Sequence, residues 1–326
     1  MTGSSVPPPV TAVMDAASAW LPARMAEVED RLAELSVSYG PRLAEDAEAT
    51  LTAGGKRLRP LLVLMAAGGS AGDRAVHAAA AVEMVHMATL VHDDVLDGAP
   101  VRRGRPTVVA RSGRDRAVGV GDLLFSRAFA ELAVDGEVSE VAELSSASVA
   151  LALGELAQRR DAYDTSISEE RYLERCSLKT ARLFESACRM GRLASGAPGT
   201  EELASFGREI GLAFQLLDDV LDVTGPPERT GKARGTDLLD GTVTLPLILA
   251  RRLDPSLEEV ELRGLDEEAA ETLCERIAAT GALERVRERA EQGIARAKAL
   301  LDDPNFSDEE RELLGLIADG VVERYS

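Results

Sequence analysis

Aromatic residues, cysteines and long apolar runs are all scarce in this chain of 326 residues. Aromatic residues make up only 3%, whereas Ala, Leu, Arg and Glu dominate, and such a composition favours helices over β-sheets. The three cysteines follow no pairing motif, so we expect a reducing compartment and ordinary core packing. No uncharged apolar run reaches 18 residues, and no basic-then-apolar segment opens the chain. We therefore expect a cytoplasmic protein without a membrane span or a secretory signal.

Positive charge is also in deficit, because the formal net charge is −19. This balance argues against a nucleic-acid-binding protein, which needs a basic surface. Most of the acidic side chains are expected simply to face solvent. Only four of the 37 basic residues are lysines, namely Lys56, Lys179, Lys232 and Lys298. The first three lie where we expect phosphate contacts, which suit a compact ammonium group, although four lysines are few enough for this placement to arise by chance.

The pentapeptide Asp-Asp-Val-Leu-Asp occurs twice, at residues 93–97 and 218–222. In each copy the first and fifth residues lie about one helical turn apart, so their carboxylates share a face. A single copy is compatible with an acidic helix end in solvent, but two identical copies that each follow an apolar stretch favour a functional site. Clustered carboxylates beside apolar residues are costly unless they bind metal, and oxygen ligands suit Mg²⁺ bridged to phosphates.

Helical periodicity extends through most of the chain and is interrupted mainly by glycine and proline. Residues 1–12, which include three consecutive prolines, are expected to form a flexible tail, and residues 13–326 a single all-α domain. Pro22 is expected to kink the first helix or to mark a later start. The predicted helices span residues 13–38, 41–51, 59–70, 73–97, 115–134, 138–162, 168–194, 200–223, 236–253, 266–278, 281–301 and 308–324.

Several polar residues are placed to act together with the acidic clusters. Lys56 follows two glycines, which let backbone approach an anion closely. His86 lies seven residues before Asp93 and so nearly on the same helix face, whereas His92 is more simply explained as a packed side chain. Gln215 precedes Asp218 by three residues and shares its face.

Together these residues resemble the trans-polyprenyl diphosphate synthase family, from about residue 20 to the C-terminus. The matching motifs, in chain order, are Gly55-Lys56-Arg57-x-Arg59-Pro60, Glu83-x-x-His86, the first DDxxD, Arg102-Arg103-Gly104, Lys179-Thr180, Phe214-Gln215 with the second DDxxD, and Gly231-Lys232. The resemblance implies an all-α helical bundle around a central cavity, and a homodimer. It also implies a Mg²⁺-dependent prenyltransferase that joins isopentenyl diphosphate to an allylic diphosphate.

The resemblance assigns roles residue by residue. About three Mg²⁺ ions would be held by Asp93, Asp97 and Asp218, supported by Asp94, Asp219 and Asp222. Isopentenyl diphosphate would contact Lys56, Arg59, His86 and Arg103. The allylic diphosphate would contact Arg102, Lys179, Thr180, Gln215 and Lys232. Catalysis would depend most on Asp93, Lys179, Gln215 and Asp218. Product length would depend on Ala88 and Thr89, with Met84 deeper on the helix, and small side chains there favour a product of twenty carbons or more.

One position departs from the family pattern, because Thr242 stands where many members have lysine. This substitution removes one cation near the allylic diphosphate and puts affinity in doubt more than activity.

Two other functions remain open at this level. A class I terpene cyclase also uses an acidic cluster, but it would not need a second DDxxD or the Lys56, Arg59 and His86 set. A non-catalytic subunit of a heteromeric synthase would be expected to have lost acidic residues, and both clusters are intact here. Within the main interpretation, a farnesyl or geranylgeranyl diphosphate synthase is the shorter-chain alternative.

Overall fold

The computed structural model describes residues 8–37, 41–52, 57–102, 104–134, 136–225 and 234–323. Nearly all of this part of the chain is helical, which confirms the all-α fold class. The helices are α1 (Pro8–Ala16), α2 (Leu21–Val37), α3 (Pro41–Thr52), α4 (Leu58–Ala67), α5 (Asp73–Asp97), α6 (Val108–Ser112), α7 (Arg114–Ala133), α8 (Val138–Arg160), α9 (Glu169–Cys176), α10 (Arg182–Ser195), α11 (Thr200–Thr224), α12 (Thr236–Leu239), α13 (Leu245–Leu253), α14 (Glu267–Ala279), α15 (Ala282–Leu300) and α16 (Asp308–Glu323).

Short elements complete the described chain. Strands β1 (Val101–Arg102) and β2 (Arg105–Pro106) pair antiparallel just after the first acidic cluster. A π-helical turn at Ser177–Ala181 joins α9 to α10, and a 3₁₀ turn follows α13 at Pro255–Leu257. None of the described helices combines the length and apolar character that crossing a membrane requires.

Most predicted helices agree with the structure, and the differences have local causes. α5 has the predicted bounds. The predicted helix 13–38 was wrong as one element, because α1 ends at Ala16 and α2 begins at Leu21, with Pro22 as its second residue. α1 begins at Pro8, so residues 8–12 of the expected tail are helical, and residues 1–7 lie outside the described chain. The predicted helix 236–253 was wrong as one element, because it is interrupted after α12, where Gly241 adopts a φ of +73°.

The helices share one hydrophobic core, and glycines allow the closest approaches within it. A Cβ atom on Gly191 of α10 would lie 2.3 Å from the backbone oxygen of Val63 on α4. One on Gly211 of α11 would lie 2.7 Å from Cα of Ala181 in the π-helical turn. Both distances are shorter than any real Cβ contact, so these helices pack backbone against backbone.

Two ion pairs fix the direction of α5 relative to α8. At the start of both helices, Nη2 of Arg74 lies 2.7 Å from Oε1 of Glu140. At their ends, Nη2 of Arg159 lies 2.5 Å from Oδ1 of Asp97. α5 and α8 are therefore parallel, and residues at corresponding heights can be matched along them.

α7 runs in the opposite direction along α5. Nε2 of His77, near the start of α5, lies 3.9 Å from Oε1 of Glu131, near the end of α7. Nε2 of His92, near the end of α5, lies 3.3 Å from Oδ1 of Asp122, in the first half of α7. The site described below lies where the C-terminal ends of α5 and α8 meet the N-terminal half of α7.

Candidate active site

The first aspartate cluster lies at the C-terminal end of α5. Asp94 is buried and accepts a hydrogen bond from Nε of Arg102 at 2.7 Å. Asp97, nearly one turn later, accepts a hydrogen bond from Nη2 of Arg159 on α8 at 2.5 Å. Asp93 instead lines a cavity between α5, α7 and α8. The three carboxylates of the motif therefore have different surroundings, although they are separated by only four positions.

Asp93 lies in an environment that opposes its ionisation. Burial is the main reason that the pKa of Asp93 is raised above its ordinary value, and the carboxylates of Glu155 and Asp97 add to this effect. The Lys179 ammonium and the Arg102 guanidinium act in the opposite direction without reversing the shift. A cation placed against Asp93 would relieve this penalty.

The π-helical turn directs two consecutive side chains towards the two aspartate clusters. Nζ of Lys179 lies 2.5 Å from Oε2 of Glu155, on the side of the first cluster. Oγ1 of Thr180 donates a hydrogen bond to Oε1 of Gln215 at 2.7 Å, on the side of the second cluster. π-helical turns occur frequently at functional sites because the extra residue changes the direction of neighbouring side chains. Here the turn lies between both DDxxD motifs.

Gly154 allows this turn to lie directly against α8. A Cβ atom at Gly154 would lie 2.7 Å from the backbone nitrogen of Lys179 and 2.9 Å from its Cα. Any larger residue would move the turn or the helix. The position of Lys179 therefore depends on the absence of a side chain at Gly154.

The second cluster, on α11, contains a fully enclosed carboxylate. Asp219 accepts a hydrogen bond from Nε2 of Gln215 at 2.7 Å and another from the hydroxyl of Tyr172. Burial, together with the neighbouring Asp237 carboxylate, raises the pKa of Asp219 to about 8 despite these two hydrogen bonds. Asp219 is thus a supporting residue within the protein interior.

Asp218 and Asp222 lie at the more accessible edge of the same cluster, and both are half-buried. Oδ2 of Asp222 accepts a hydrogen bond from the backbone nitrogen of Asp237 at 3.3 Å. The backbone oxygen of Asp222 accepts another from the nitrogen of Gly235 at 2.9 Å. These contacts tie the end of α11 to the start of α12.

The cavity beside Asp93 has a volume of about 460 Å³. Asp93, Glu155 and Lys179 line its polar end. Apolar side chains form most of the remaining wall, namely Leu96, Val118, Phe125, Leu151, Ala152 and Leu156. Thr89 also lines it, whereas Ala88 and Met84 are buried in the core and are not among the lining residues. An apolar chamber with a charged end suits a ligand that has an anionic head and a hydrocarbon tail.

The donor set fits a hard divalent cation that is bound partly by its ligand. Within the described ranges, no three His, Cys, Asp or Glu side chains converge closely enough to hold a metal ion by themselves. Mg²⁺ commonly takes only one or two carboxylates and completes its shell with water and substrate phosphates. Asp93 and Asp97 on one side, and Asp218 on the other, offer such oxygen atoms. The raised pKa of buried Asp93 is the observation that favours a cation there.

Of the other residues predicted to contact substrate, some lie outside the described part of the chain and some lie within it. Lys56, Arg103 and Lys232 lie outside the described residues. The guanidinium of Arg59 stacks on the ring of Phe184, 4.5 Å from its centroid, and His86 is half-buried on α5. Thr242 is anchored through its backbone nitrogen, which donates to the oxygen of Asp237 at 2.7 Å.

Three site residues escaped the sequence analysis, namely Glu155, Arg159 and Tyr172. Glu155 and Arg159 are one turn apart on α8, and Nε of Arg159 lies 2.7 Å from Oε1 of Glu155. In the sequence they look like an ordinary surface pair, since that spacing recurs on many exposed helices. Burial opposes the ionisation of Glu155, but Lys179 and Arg159 together hold its pKa below the ordinary value. Tyr172 belongs to no recognisable motif, because its hydroxyl contacts Asp219 only once the chain has folded.

The known proteins described below, which are similar to this chain in sequence, are polyprenyl diphosphate synthases or members of their family. The sequence profile of the family described as polyprenyl synthetase matches residues 41–278. Heptaprenyl diphosphate synthase component 2 of Geobacillus stearothermophilus is 40% identical over 285 residues, which cover 85% of this chain and 89% of that protein. Octaprenyl diphosphate synthase of Escherichia coli is 38% identical over 260 residues, which cover 77% of this chain and 80% of that protein.

A solved structure agrees with these sequence matches. The crystal structure of a decaprenyl diphosphate synthase from Rhodobacter capsulatus has a TM-score of 0.88 to this chain at 34% identity. The match covers 97% of this chain and 99% of that one. The similarity therefore extends over nearly the whole length of both chains.

Proposed function

The chain belongs to the polyprenyl synthetase family and is a prenyltransferase, and on this premise we propose that it condenses isopentenyl diphosphate with an allylic diphosphate in trans. The product would be a polyprenyl diphosphate of twenty carbons or more. The observation that carries this proposal is the apolar cavity whose polar end is formed by Asp93, Glu155 and Lys179. A diphosphate head at that end would place a prenyl tail along the cavity.

Bound Mg²⁺, about three ions by family resemblance, would neutralise the charge that develops on the departing diphosphate. Asp93, Asp97 and Asp218 would hold the metal, and Lys179 would add a positive charge beside the leaving oxygen atoms. Thr180 and Gln215 would bind the same diphosphate from the side of α11. Asp94, Asp219 and Asp222 would support metal-bound water, and they are held by hydrogen bonds from Arg102, Gln215 and the backbone nitrogen of Asp237 respectively.

The apolar wall has a chemical task as well. Breaking the allylic carbon–oxygen bond generates a carbocation, which water would quench. Leu96, Val118 and Leu156 give the cavity beside Asp93 an apolar wall along which a prenyl tail could lie with less water around it. The double bond of isopentenyl diphosphate, held by Arg59 and His86 with Lys56 and Arg103, would then attack the cation. The proton lost afterwards has a nearby acceptor in the released diphosphate, so no protein nucleophile is needed.

The three relatives described above support a medium or long product, because their names specify heptaprenyl, octaprenyl and decaprenyl chains. Thr89 is the only one of the three predicted length-determining residues on α5 among the lining residues of this cavity, with Ala88 and Met84 buried nearby. One relative is a component of its synthase, which keeps a heteromeric assembly as the second candidate. We propose a homodimer, because four exposed apolar side chains lie on one side of α8, namely Val138, Val149, Leu153 and Leu156.

Incubation of the purified chain with Mg²⁺, isopentenyl diphosphate and geranyl, farnesyl or geranylgeranyl diphosphate tests the proposal. Chromatography of the dephosphorylated products should show linear prenols of twenty carbons or more, and EDTA should abolish them. An Asp93→Asn variant should lose nearly all turnover while retaining its helical circular dichroism. Cyclic hydrocarbons would instead indicate a cyclase. Products that form only after a second protein is added would indicate a heteromeric synthase.

A further inference from the structure

Arg57 belongs to the cationic segment before α4, but its guanidinium is bound by the protein itself. Nη1 donates a hydrogen bond to Oε1 of Glu83 on α5 at 2.8 Å. Nε and Nη2 donate to the two carboxylate oxygens of Glu29 on α2, at 2.5 and 3.2 Å. Nη2 also donates to the backbone oxygen of Leu51 on α3 at 3.0 Å. All three nitrogens of this side chain, which is only 11% exposed, are therefore held by three different helices.

The backbone of Arg57 adopts a conformation that few residues take. Its φ is +47° and its ψ is +34°, in the left-handed region, and Tyr163 is the only other non-glycine residue with a positive φ in the described part of the chain. Such a conformation persists only where surrounding contacts impose it. The backbone oxygen of Arg57 accepts a hydrogen bond from the nitrogen of Leu61 at 2.9 Å. The contacts of the Arg57 side chain therefore fix the point from which α4 begins.

Both partners in the Arg57–Glu83 ion pair lie next to a residue that is proposed to bind isopentenyl diphosphate. Arg59 is the second residue of α4, two positions after Arg57. His86 follows Glu83 by three residues on α5, so it lies on nearly the same face, one turn closer to the first aspartate cluster. The ion pair thus joins the segment that carries Arg59 to the helix that carries His86.

We propose that Arg57 is a positioning residue that holds Arg59 and His86 in a fixed relative arrangement for the diphosphate of isopentenyl diphosphate. This inference rests on the proposed function, which assigns that substrate to Arg59 and His86. Arg57 itself does not touch the substrate. A diphosphate that contacts side chains on two helices needs both of them in place beforehand, since a displacement of about 1 Å can lower the rate about a hundredfold.

A second ion pair of the same kind lies far from these residues and provides a control. Arg31 on α2 donates from Nε and Nη2 to the two carboxylate oxygens of Glu131, at 2.6 and 2.9 Å, and from Nη1 to Glu34 at 2.9 Å. Like Arg57, it therefore joins one buried and one partly exposed glutamate. Glu131 lies beside His77 at the start of α5, the end opposite the aspartate cluster.

The test compares the steady-state kinetics of Arg57→Gln and Arg31→Gln. Both variants lose a buried ion pair, so both should unfold at lower urea concentrations than the wild type. Only Arg57→Gln should raise KM for isopentenyl diphosphate, by about tenfold or more, while KM for the allylic diphosphate changes by less than about twofold. An unchanged KM in Arg57→Gln would overturn the proposal, as would an equal rise in both variants.

A milder pair of variants keeps the test valid if Arg57→Gln folds poorly. Glu29→Ala removes two of the hydrogen bonds of Arg57 but leaves its pair with Glu83 in place. KM for isopentenyl diphosphate should then rise by about two- to fivefold, which corresponds to a lost hydrogen bond. Glu34→Ala removes the equivalent partner of Arg31 from the same helix and should match the wild type. Equal KM values for these two alanine variants would contradict the role of Arg57.

Binding separates this inference from the proposed function. Isopentenyl diphosphate is not consumed in the absence of an allylic diphosphate, and EDTA prevents it from binding through metal at the aspartate clusters. Its Kd, measured by titration calorimetry under these conditions, should rise about tenfold in Arg57→Gln and stay unchanged in Arg31→Gln, whether or not condensation occurs. Equal Kd values for Arg57→Gln and wild type would refute the positioning role. A wild type that binds isopentenyl diphosphate but forms no prenol would refute only the proposed function.

Discussion

At the scale of single residues, the amide of Gln215 is the point where the π-helical turn is connected to the second aspartate cluster. Its oxygen accepts from Thr180, and its nitrogen donates to Asp219. Both ends of the amide are therefore hydrogen-bonded, which holds the side chain in place between the turn and the cluster. This fixed orientation is what a contact with a diphosphate oxygen requires.

Replacing Thr180 by valine should weaken catalysis without unfolding the protein. Valine keeps the shape of threonine but cannot donate to Gln215, and a lost hydrogen bond of this kind is worth about 1 kcal/mol. We expect kcat/KM for the allylic diphosphate to fall by about five- to tenfold. Thr180→Ser retains the hydroxyl and should stay close to the wild type. Equal kinetics for Thr180→Val and Thr180→Ser would show that the hydroxyl does not orient Gln215.

Asp219 provides a prediction about pH. Its pKa is about 8 in the folded chain because of burial and the Asp237 carboxylate, compared with an ordinary value of 3.8. Between these two values the folded state binds the proton and the unfolded state releases it. The free energy of unfolding should therefore decrease as pH rises from about 4 to about 8. Asp219→Asn, which resembles the protonated acid, should lack this contribution.

The measurement is urea unfolding of metal-free wild type and Asp219→Asn, in EDTA, over that pH range. Subtracting the two curves removes the contribution of the other titrating groups. The variant should gain stability relative to wild type as pH increases. A difference that stays constant with pH would show that Asp219 is ionised throughout.

At the scale of elements, α8 and the π-helical turn form one unit through Gly154. Gly154→Ala should displace the backbone at Lys179, because the added Cβ would lie within 3 Å of its nitrogen and Cα. We expect a destabilisation of about 1–3 kcal/mol and at least a tenfold loss of kcat, since Lys179 moves with the turn. Urea unfolding and steady-state kinetics measure the two effects separately.

Gly119→Ala is the matched control, since Gly119 lies within α7 and a Cβ there would meet nothing within 4 Å. This variant should be as stable as the wild type or slightly more stable, because alanine favours the helix. Retention of full kcat in Gly154→Ala would mean that the turn adapts without moving Lys179.

The sequence predicts a helix well when glycines mark both of its ends, and poorly when an irregular turn hardly changes the spacing of its apolar residues. The bounds of α5 were predictable because Gly72 and Gly98 flank a continuous helical pattern. Residues 168–194 were predicted as one helix, and the π-helical turn inside them was missed. One extra residue in a single turn hardly changes the spacing of apolar residues along the helix, so the sequence does not reveal it. The same extra residue directs Lys179 towards the first cluster and Thr180 towards the second.

The site residues show the same limit. Both DDxxD motifs were visible because they repeat, and Lys179 and Thr180 because they match a motif. The partners Glu155 and Tyr172 depend on contacts between residues 24 and 47 positions apart. Such tertiary relations leave no mark in the spacing of one sequence.

At the scale of the whole molecule, α8 presents an unusual outer face. The exposed fractions of Val138, Val149, Leu153 and Leu156 are 78%, 58%, 52% and 66%. Spacings of eleven, four and three residues place these side chains on one side of the helix. In a chain with 29% charged residues and a net charge of −19, such a stripe is expected to be covered. A second copy is a suitable partner, because an apolar stripe can pack against its own symmetry mate around a twofold axis.

Leu153→Glu places a charge in the middle of this stripe and should separate the proposed dimer into monomers, as measured by light scattering after size-exclusion chromatography. A buried carboxylate near its symmetry mate is costly, so we expect the dissociation constant to rise by at least about a hundredfold, or ~2.7 kcal/mol. Leu156 also lines the cavity, and loss of the partner would expose that wall to water, so prenol formation should fall together with dimer content. Val37→Glu, at the end of α2, replaces a valine of 56% exposure away from α8 and should leave both the mass and the activity unchanged. A wild type that is monomeric at micromolar concentration, or a Leu153→Glu variant that remains dimeric, would place the subunit interface elsewhere.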